Sequence, residues 1–422
     1  MKILFDLVHA ASFKRHGKQM GIGAVFLAGA AFQLVLLPLP GYVYDVNTFE
    51  RWELALIRHG THGIYHDPSL HAPVTYGPVA LYFFWAIGAL HDVLIPTSPV
   101  GSFIFRLITK APAALADLVL AWLLYRIAWR LKGEGPARIV AHVVLFAPPF
   151  WLATAYWGQI DSLQTAFIAA ALALALEERV IWAWVALAAS VLIKPQGLLM
   201  APVLAIWLAS QRGPRALPAL AAGCVASLAL TYVTALPFVS GLNPITVFRE
   251  IAGAYSRVFS PSGGASVSAF NLYTITLPEM ASEKLTIAGQ TLHTWGLILT
   301  VATLLFVYAC AGRTRSTLVL SATAALAAPY FLATQMHERY LYPALAVGLL
   351  AGLLGRSVAL IMVPLAIVFT IDLVFALVGI HPVGANHPFL FSLVRVLSAL
   401  NIALFAALLL RCLIRARSVE SG

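Results

Sequence analysis

The sequence predicts an all-α fold, a polytopic transmembrane helical bundle of about 12 spans with interfacial helices in the first outer loop. Three observations predict this class: 61% of the 422 residues are hydrophobic, only 10% are charged, and the mean hydropathy is +0.87. Soluble domains average about 45–50% apolar and about 25% charged residues. Such a chain has too few polar residues to cover a surface in water, so the lipid bilayer is the solvent that fits.

The spans follow from apolar segments that recur along the whole chain. They begin near residues 20, 103, 137, 161, 180, 197, 215, 292, 316, 341, 357 and 388. A further apolar segment, 76–95, contains Pro78, His91 and Asp92, and we interpret it as interfacial. With the N-terminus inside, roughly seventeen of the 27 basic residues then lie on the cytosolic side. Counting 76–95 as a thirteenth span would turn the Arg-rich loops outward.

Charge and cysteine content narrow the class further. The net charge of +10 lies mostly in short loops between apolar runs, so it indicates orientation in the membrane and no nucleic-acid partner. The three cysteines are too scattered for a disulfide framework or a metal cluster. The first twenty residues lack a cleavage-like site and are typical of a cytosolic tail. We expect a multi-pass plasma (inner) membrane protein, one domain over 1–422, with cytosolic termini.

The predicted outer loops hold most of the polar residues that orientation does not explain. They are 41–102, 157–161, 194–196, 240–291, 335–340 and 381–387. Polar residues gathered on one face favour an enzyme whose site lies at the extracytoplasmic membrane surface. An alternating-access transporter would place them at the midplane, between repeated halves.

The first outer loop, 41–102, begins with Asp45 soon after the first span. Phe49, Trp52 and Leu56 then follow at helical spacing, which predicts a short amphipathic helix lying on the membrane. Asp45 could cap that helix or act in catalysis, and the residues alone leave both interpretations open. Three histidines and Asp67 follow at spacings that fit no strong zinc pattern, which favours solvated loop residues.

Two short outer segments combine polar groups with helix breaks. Gln159 and Asp161 follow Trp157 at the head of a span, where they could serve only as caps. Lys194 and Gln196 flank Pro195 between two short apolar segments. A lysine there is costly unless it snorkels or meets an anion, and a phosphate is a natural partner for a compact ammonium.

The two remaining outer segments also carry candidate binding residues. The long loop 240–291 contains Asn271, and loops of this length often act as lids or binding loops. The segment 335–343 places His337, Glu338 and Arg339 just before a Tyr-Leu-Tyr sequence, at the depth of lipid headgroups. A charged hairpin tip in water is the alternative explanation.

One structural pair is also predicted in the last helical hairpin. Asp372 and Arg395 lie at similar depth on either side of the outer turn between His381 and His387. Because lone charges there are costly, we expect the two side chains to pair.

In their order along the chain, these motifs resemble the GT-C glycosyltransferase superfamily. The resemblance is to its bacterial and archaeal mannosyltransferase-like branch, which is related to the second mannosyltransferase of GPI-anchor synthesis. It runs from Asp45 to Tyr342 and is most specific at 194–196 and 336–340. Two positions depart from the branch's pattern: Tyr-Pro-Pro is replaced by Tyr76-Gly77-Pro78, and Asn-Ala-Phe-Asn begins with Ser268. We expect neither departure to touch a catalytic group.

The resemblance implies a polyprenyl-phosphate-linked sugar as donor, inversion at the anomeric carbon, and Asp45 as general base. For the donor phosphate we expect Lys194 first and Arg339 second, with His337 able to donate. The candidate substrate-binding residues are Tyr76, Gln159, Asp161, Gln196, Asn271 and Glu338. Asp45 has no second acidic residue beside it to form a metal-binding pair, so we expect no cofactor, with a divalent metal left open.

The function predicted is an integral membrane glycosyltransferase, a hexosyltransferase that moves a mannose-like sugar to an acceptor at the extracytoplasmic face. That acceptor could be a glycan, a lipid or a protein. The alternatives from other classes are a transporter or flippase for lipid-linked glycans and a ligase that moves a whole oligosaccharide.

Overall fold

A computed structural model of the protein describes residues 21–70, 72–257, 263–278, 280–379 and 388–420. The predicted cytosolic tail and the turn 381–387 lie outside these residues. The described chain is almost entirely helical, with one hairpin of two-residue strands, β1 (Thr286–Ile287) and β2 (Gln290–Thr291). The α-helices are α1 (Ile22–Leu36), α2 (Val43–Arg58), α3 (Pro78–Leu94), α4 (Phe103–Lys132), α5 (Glu134–Phe146), α6 (Pro148–Trp151), α7 (Asp161–Leu176), α8 (Val180–Val191), α9 (Met200–Arg212), α10 (Ala216–Ala235), α11 (Pro244–Ser256), α12 (Leu292–Cys310), α13 (Arg315–Leu332), α14 (Tyr342–Leu354), α15 (Arg356–Leu377) and α16 (Pro388–Glu420).

The predicted all-α class is confirmed, and each of the predicted spanning segments forms a helix. Within the described residues, five helices are long and apolar enough to cross a membrane, or six if the bent pair after α4 counts as one span. Several other apolar helices, α1, α3, α7 and α8 among them, are shorter. Length and composition therefore single out fewer spans than the predicted number, because a core of about 30 Å needs about 20 helical residues.

The amphipathic helix predicted after the first span is α2. Phe49, Trp52 and Leu56 form its buried face. The rings of Phe49 and Trp52 pack against Tyr76 and Phe84, with centroids 5.1–5.8 Å apart. The apolar face of α2 is thus covered by α3 and the segment before it, so protein, rather than lipid, buries this face.

The centre of the bundle is built largely from small side chains. Between Thr317 and Phe331, most residues of α13 are buried, and many of them are alanines. Helix α14 contributes Ala344, Ala346 and Gly348 to the same core. Small residues let helix backbones approach closely, which is how packing stabilises helices in a membrane.

An irregular helical segment leads from α5 to Trp157. The axis bends by 43° between α5 and the stretch Pro148–Tyr156, where Pro148 follows the end of α5. The last part of this stretch, Leu152–Tyr156, is a π-helix. π-Helical turns are rare and frequently occur at functional sites, and this one ends next to Trp157.

The pairing predicted between Asp372 and Arg395 is wrong, because the two side chains have different surroundings. Asp372 is fully buried and accepts hydrogen bonds from the Phe270 N–H at 3.1 Å and the Tyr330 hydroxyl at 2.6 Å. Arg395 is exposed and donates to the Ile275 carbonyl at 2.7 Å. Each residue thus connects the long outer loop to one of the last two helices, Asp372 through the Phe270 N–H and Arg395 through the Ile275 carbonyl.

Candidate active site

Asp45 lies in the first turn of α2 and faces two residues from a distant part of the chain. Its Oδ2 accepts hydrogen bonds from Trp157 Nε1 at 2.8 Å and from Gln159 Nε2 at 2.5 Å. The Nη2 of Arg339 lies 3.8 Å from the same oxygen. Within the described residues, Oδ1 has no hydrogen-bond partner. The carboxylate is therefore anchored through one oxygen, with the other available to a ligand.

The capping interpretation of Asp45 does not match the geometry. The N-cap of α2 is Tyr42, and no side chain caps this helix end. The interpretation of Gln159 and Asp161 as caps fails in the same way, because the N-cap of α7 is Ile160 and it too lacks a side-chain cap. These polar side chains bond to groups elsewhere in the site.

A close backbone approach places the start of α2 against Trp157. The Tyr42 N–H donates to the Trp157 carbonyl at 3.2 Å. Gly41 has a φ of +65°, and a Cβ there would lie 2.5 Å from the Tyr156 carbonyl oxygen. A glycine is required at this position on both counts, because its backbone is left-handed and no side chain fits.

Behind Asp45 lies a buried row of polar groups that the sequence singled out. Gln159 Oε1 accepts from the Tyr76 hydroxyl at 3.3 Å and from Lys194 Nζ at 3.5 Å. Lys194 Nζ forms an ion pair with Asp161 at 2.8 Å. Burial lowers the pKa of Lys194, while the Asp161 carboxylate acts in the opposite direction. The principal partner of the ammonium is thus a carboxylate of the protein itself.

Arg339 approaches Asp45 from the other side. Its Nη1 donates to Glu338 Oε1 at 2.6 Å, and its guanidinium lies 5.7 Å from the ring centroids of both Trp157 and Tyr340. Burial acts to raise the pKa of Glu338, but Arg339 and His337 together outweigh it and hold that pKa at about 2. Glu338 is therefore ionised and fixes the guanidinium between two carboxylates.

His337 completes this side and joins it to the long outer loop. Its backbone bridges to Val267 and Ser268, and the Val267 N–H donates to the Met336 carbonyl at 3.0 Å. The His337 ring is partly exposed and lies 5.2 Å from the Tyr340 ring. Ser268 therefore adjoins a candidate phosphate-binding residue.

A cavity of about 620 Å³ opens beside Asp45. Part of its lining is polar and comes from Asp45, His337, Glu338 and Arg339, together with the aromatic residues Tyr42, Tyr44 and Trp157. Another part is apolar and comes from the end of α15, the start of α16 and the long outer loop. These apolar residues are Leu277, Pro278, Met280, Phe375, Ala376, Leu377, Phe391 and Val394.

Six of the predicted site residues do not line this cavity: Tyr76, Gln159, Asp161, Lys194, Gln196 and Asn271. Lys194 and Asp161 are paired behind Gln159, and Gln196 follows one residue beyond Pro195 with its Oε1 buried and unpartnered in the described chain. Asn271 is fully buried, and its Oδ1 accepts from the Tyr273 N–H at 3.1 Å. Asn271 shapes the long loop, whereas Lys194 and its partner Asp161 support Gln159.

Gly77, the other departure from the family pattern, lies where the segment before α3 meets the end of α8. Its N–H donates to the Ile193 carbonyl at 3.3 Å, and a Cβ there would lie 2.1 Å from the Tyr255 hydroxyl and 2.4 Å from the Leu192 carbonyl oxygen. A proline at this position would lack the N–H and would overlap both groups. The glycine therefore allows its own segment to pack closely against Leu192 and Ile193, the two residues before Lys194.

Sequence reasoning missed several residues that shape this site. Tyr42 and Tyr44 line the cavity, and Tyr42 packs on Trp157 with centroids 5.0 Å apart. Phe375 and Phe391 belong to spans and look like ordinary lipid-facing residues in the sequence. Tyr42 and Tyr44 adjoin Asp45 in the chain, so their position was a usable signal, whereas no sequence signal identifies the two phenylalanines.

The loop histidines predicted to be solvated lie apart from this cavity. His59 Nδ1 contacts Asp67 Oδ2 at 2.8 Å near the surface, and His66 lies 3.7 Å from Glu250. Among the described residues, no group of three or more His, Cys, Asp or Glu side chains is arranged to hold a metal ion.

The fold and the position of the site define a class of protein. The chain is a multi-pass helical membrane protein in which loops from five separate parts of the sequence meet at one end of the bundle. The comparisons with known proteins agree with this class: a family model of a membrane protein subunit matches part of the chain, and a solved membrane protein structure shares its fold.

Two comparisons support this class. A family model described as GPI transamidase subunit PIG-U matches residues 45–253, from Asp45 into α11. The crystal structure of ArnT from Cupriavidus metallidurans bound to undecaprenyl phosphate superposes with a TM-score of 0.51 at 15% sequence identity. That match covers 94% of this chain and 78% of the ArnT chain. The comparison with curated proteins found no match.

Proposed function

We propose that the protein is an integral membrane glycosyltransferase that transfers a hexose from a polyprenyl-phosphate sugar to an acceptor hydroxyl. Asp45 is the general base in this proposal. A mannose-like sugar, inversion at the anomeric carbon and reaction at the extracytoplasmic face are proposed on the motif resemblance. The GT-C fold, shared with a protein whose structure contains undecaprenyl phosphate, supports the choice of a lipid-linked donor.

The observation that carries the proposal is the polarity of the cavity beside Asp45. Part of its lining presents a carboxylate with an open oxygen next to a guanidinium, and another part consists of apolar side chains from the end of α15 and the start of α16. A lipid-linked phosphate has the same division into a charged group and a long apolar chain. The described apolar side chains of this lining offer no hydrogen-bonding groups to the base and ribose of a soluble nucleotide sugar.

The chemistry follows from the open oxygen of Asp45. Oδ1 takes the proton of the acceptor hydroxyl while the hydroxyl oxygen forms a bond to the anomeric carbon. The bond between that carbon and the phosphate oxygen breaks, and its electron pair leaves with the polyprenyl phosphate. A positioned base contributes roughly 10²–10⁴-fold to such a step. Phosphate leaves without protonation, so no general acid is needed.

Arg339 is the cation best placed for the leaving phosphate. In the resting site, its Nη2 is attracted to Asp45 across 3.8 Å. When Asp45 takes the acceptor proton, this attraction falls while the charge on the phosphate rises, so the guanidinium can turn its charge to the leaving group. Preorganised donors of this kind are worth roughly 10²–10³ in rate each. His337 can supply a second one from the same cavity.

Lys194 has a supporting role in this scheme. It is buried, its ammonium pairs with Asp161, and it reaches the site only through Gln159. Its charge contributes to the potential around Asp45, and its contact with Gln159 helps to hold the amide that anchors the carboxylate. We therefore assign phosphate binding to Arg339 and His337 ahead of Lys194, which reverses the order expected from the sequence.

The test is transfer of a radiolabelled hexose from a polyprenyl-phosphate sugar by the purified protein in liposomes, with extracted membrane glycolipids and proteins as acceptors. Asp45→Asn keeps the size of the side chain and an oxygen that can accept from Trp157 and Gln159. We expect it to lower transfer at least about 10²-fold and to leave undecaprenyl phosphate binding near the wild-type level.

The matched control is Glu134→Gln, which makes the same change at an exposed carboxylate whose partner is Arg138. It is expected to transfer normally. An Asp45→Asn protein that also transfers at the wild-type rate would contradict the assignment of the base.

A second candidate function is favoured by the family match over 45–253. A protein related to a transamidase subunit could hold a lipid-linked glycan for a partner enzyme without cleaving it. This candidate predicts undecaprenyl phosphate binding that depends on Arg339, no sugar transfer by the wild type, and no effect of Asp45→Asn on any activity of the purified protein.

A further inference from the structure

Another buried carboxylate, Asp117, lies midway along α4 and is not used in the chemistry proposed above. It is fully buried. Its Oδ1 accepts a hydrogen bond from the Tyr342 hydroxyl at 2.7 Å, and its Oδ2 accepts from the Thr154 hydroxyl. Within the described chain, no lysine or arginine pairs with it. A carboxyl group inside a membrane protein is costly, and a position that keeps one is a candidate for a specific role.

The two partners of Asp117 belong to the segments that hold Asp45 from opposite sides. Thr154 lies in the π-helix, and its carbonyl accepts from the Gly158 N–H at 2.7 Å, so it is one turn from both Trp157 and Gln159. Tyr342 is the first residue of α14 and follows Arg339 by one turn.

This arrangement connects two segments that are far apart in the sequence. One runs from Thr154 to Gln159 and anchors Asp45, and the other runs from Arg339 to Tyr342 and supplies the guanidinium. Asp117 accepts one hydroxyl from each. Both acceptor atoms belong to one rigid carboxyl group, so the separation between the two hydroxyls is limited to the reach of a single side chain.

We propose that Asp117 is a positioning residue that sets the distance between the base Asp45 and the guanidinium of Arg339. The role rests on the proposed function for its effect on catalysis, whereas its effect on lipid-phosphate binding rests only on the assignment of the phosphate to Arg339. Because Asp117 touches neither the cavity nor a reacting group, it acts only through the segments it joins.

The two arms can be cut separately without removing the carboxyl group. Thr154→Val cuts the arm to Trp157 and Gln159, and Tyr342→Phe cuts the arm to Arg339. We expect Thr154→Val to lower kcat about tenfold with little change in donor KM, because small misplacements of a reacting group are expensive. We expect Tyr342→Phe to raise donor KM and to weaken undecaprenyl phosphate binding several-fold. Thr323→Val is the control, because that buried hydroxyl bonds only within its own helix, to the Val319 carbonyl.

Two further measurements separate positioning from a purely structural role. Asp117→Asn can still accept from one hydroxyl and donate to the other, so we expect it to keep kcat and KM within about threefold of the wild type. The double variant Thr154→Val/Tyr342→Phe should deviate from additivity, because both arms act through one group. The proposal is overturned if the single-arm variants lower only thermal stability and match Thr323→Val in kcat, KM and lipid binding.

The binding measurement also keeps this proposal distinct from the proposed function. If the wild-type protein transfers no sugar, the enzyme assignment fails, but Tyr342→Phe is still expected to weaken undecaprenyl phosphate binding relative to Thr323→Val. Equal binding by these two variants would remove the role of Asp117 in either case.

Discussion

At the scale of single residues, the site depends on which cation faces the cavity. Lys194 and Arg339 are both cations in predicted outer segments, and both lie near Asp45 in the structure. They differ in their partners: Lys194 is neutralised by Asp161 behind Gln159, whereas Arg339 borders the open cavity. Planar guanidinium groups also suit phosphate recognition, because they present several donors in a fixed fork.

A double-mutant cycle on the buried pair tests this division of roles. Lys194→Met leaves the buried Asp161 carboxylate without its cation, so we expect unfolding to become easier by about 3–5 kcal/mol. Adding Asp161→Asn should restore a large part of that stability. In both proteins we expect the folded fraction to bind undecaprenyl phosphate close to the wild-type level.

Arg339→Gln is the comparison for this cycle. It should lose most of the lipid-phosphate binding, because it removes the charge that borders the cavity. Binding lost equally in Lys194→Met and in the double variant, with Arg339→Gln unaffected, would return the phosphate site to Lys194. Thermal unfolding and lipid binding measured on the same preparations distinguish the two results.

At the scale of elements, the site is assembled by close contacts between segment ends. The start of α2 lies against Trp157 through Gly41, and the start of α3 lies against the end of α8 through Gly77. Helix ends carry unpaired backbone groups, and both contacts satisfy some of them with carbonyl or N–H partners from another segment. The helices were predictable from the apolar segments of the sequence, but these contacts between the helix ends were not.

Gly77→Ala tests the contact that positions Lys194. The added methyl group would overlap the Tyr255 hydroxyl and the Leu192 carbonyl, so the segment must shift, and we expect a loss of about 1–3 kcal/mol in the free energy of unfolding. Transfer should fall with it, because Leu192 leads directly to Lys194, which contacts the Gln159 amide that anchors Asp45. Combining the change with Tyr255→Phe removes one of the two overlaps and should recover part of the loss.

Gly135→Ala is the matched control for this substitution. It lies in α5 with open space around its Cα, and alanine has the higher helix propensity. We expect stability equal to the wild type or slightly higher. A Gly77→Ala protein that behaves like Gly135→Ala would show that the contact has no role in the site.

At the scale of the whole molecule, the described outer-loop segments meet as a single group. Asp45 contacts Trp157 and Gln159, Gln159 contacts Lys194, Arg339 approaches Asp45, and Val267 pairs with Met336. The positive-inside rule was applied to place these loops on one face, and their contacts were not part of that reasoning. That they meet supports the predicted threading, while the side of the membrane on which they lie stays a prediction.

Cysteine labelling with a membrane-impermeant reagent tests the sidedness. The labelled positions should be exposed residues that the structure describes, which excludes Ser262 and the side chain of Ser418. In a Cys224→Ser background, which removes the exposed native cysteine, we expect Lys284→Cys to be labelled in intact cells. Glu134→Cys should be labelled only after the membrane is permeabilised. The reverse pattern would invert the threading and place the site in the cytosol.

The sequence alone was sufficient for the membrane class, for the positions of the helices and for most of the polar residues of the site. Composition and apolar periodicity depend on each residue's own affinity for lipid or water, and this property is local. The motifs that the sequence analysis singled out also belong to one site, because Asp45, Gln159 and Arg339 come together in the structure.

Tertiary structure decided what each of those residues does. The sequence could not show that α2 packs its apolar face on α3, that Lys194 is already paired, or that Asp117 joins two segments of the site. Nor could it show that Asp372 is buried and Arg395 exposed, since both are predicted to lie at a similar depth in the membrane. These outcomes depend on distances between segments far apart in the sequence, and such distances are set by how helices pack and where their ends meet.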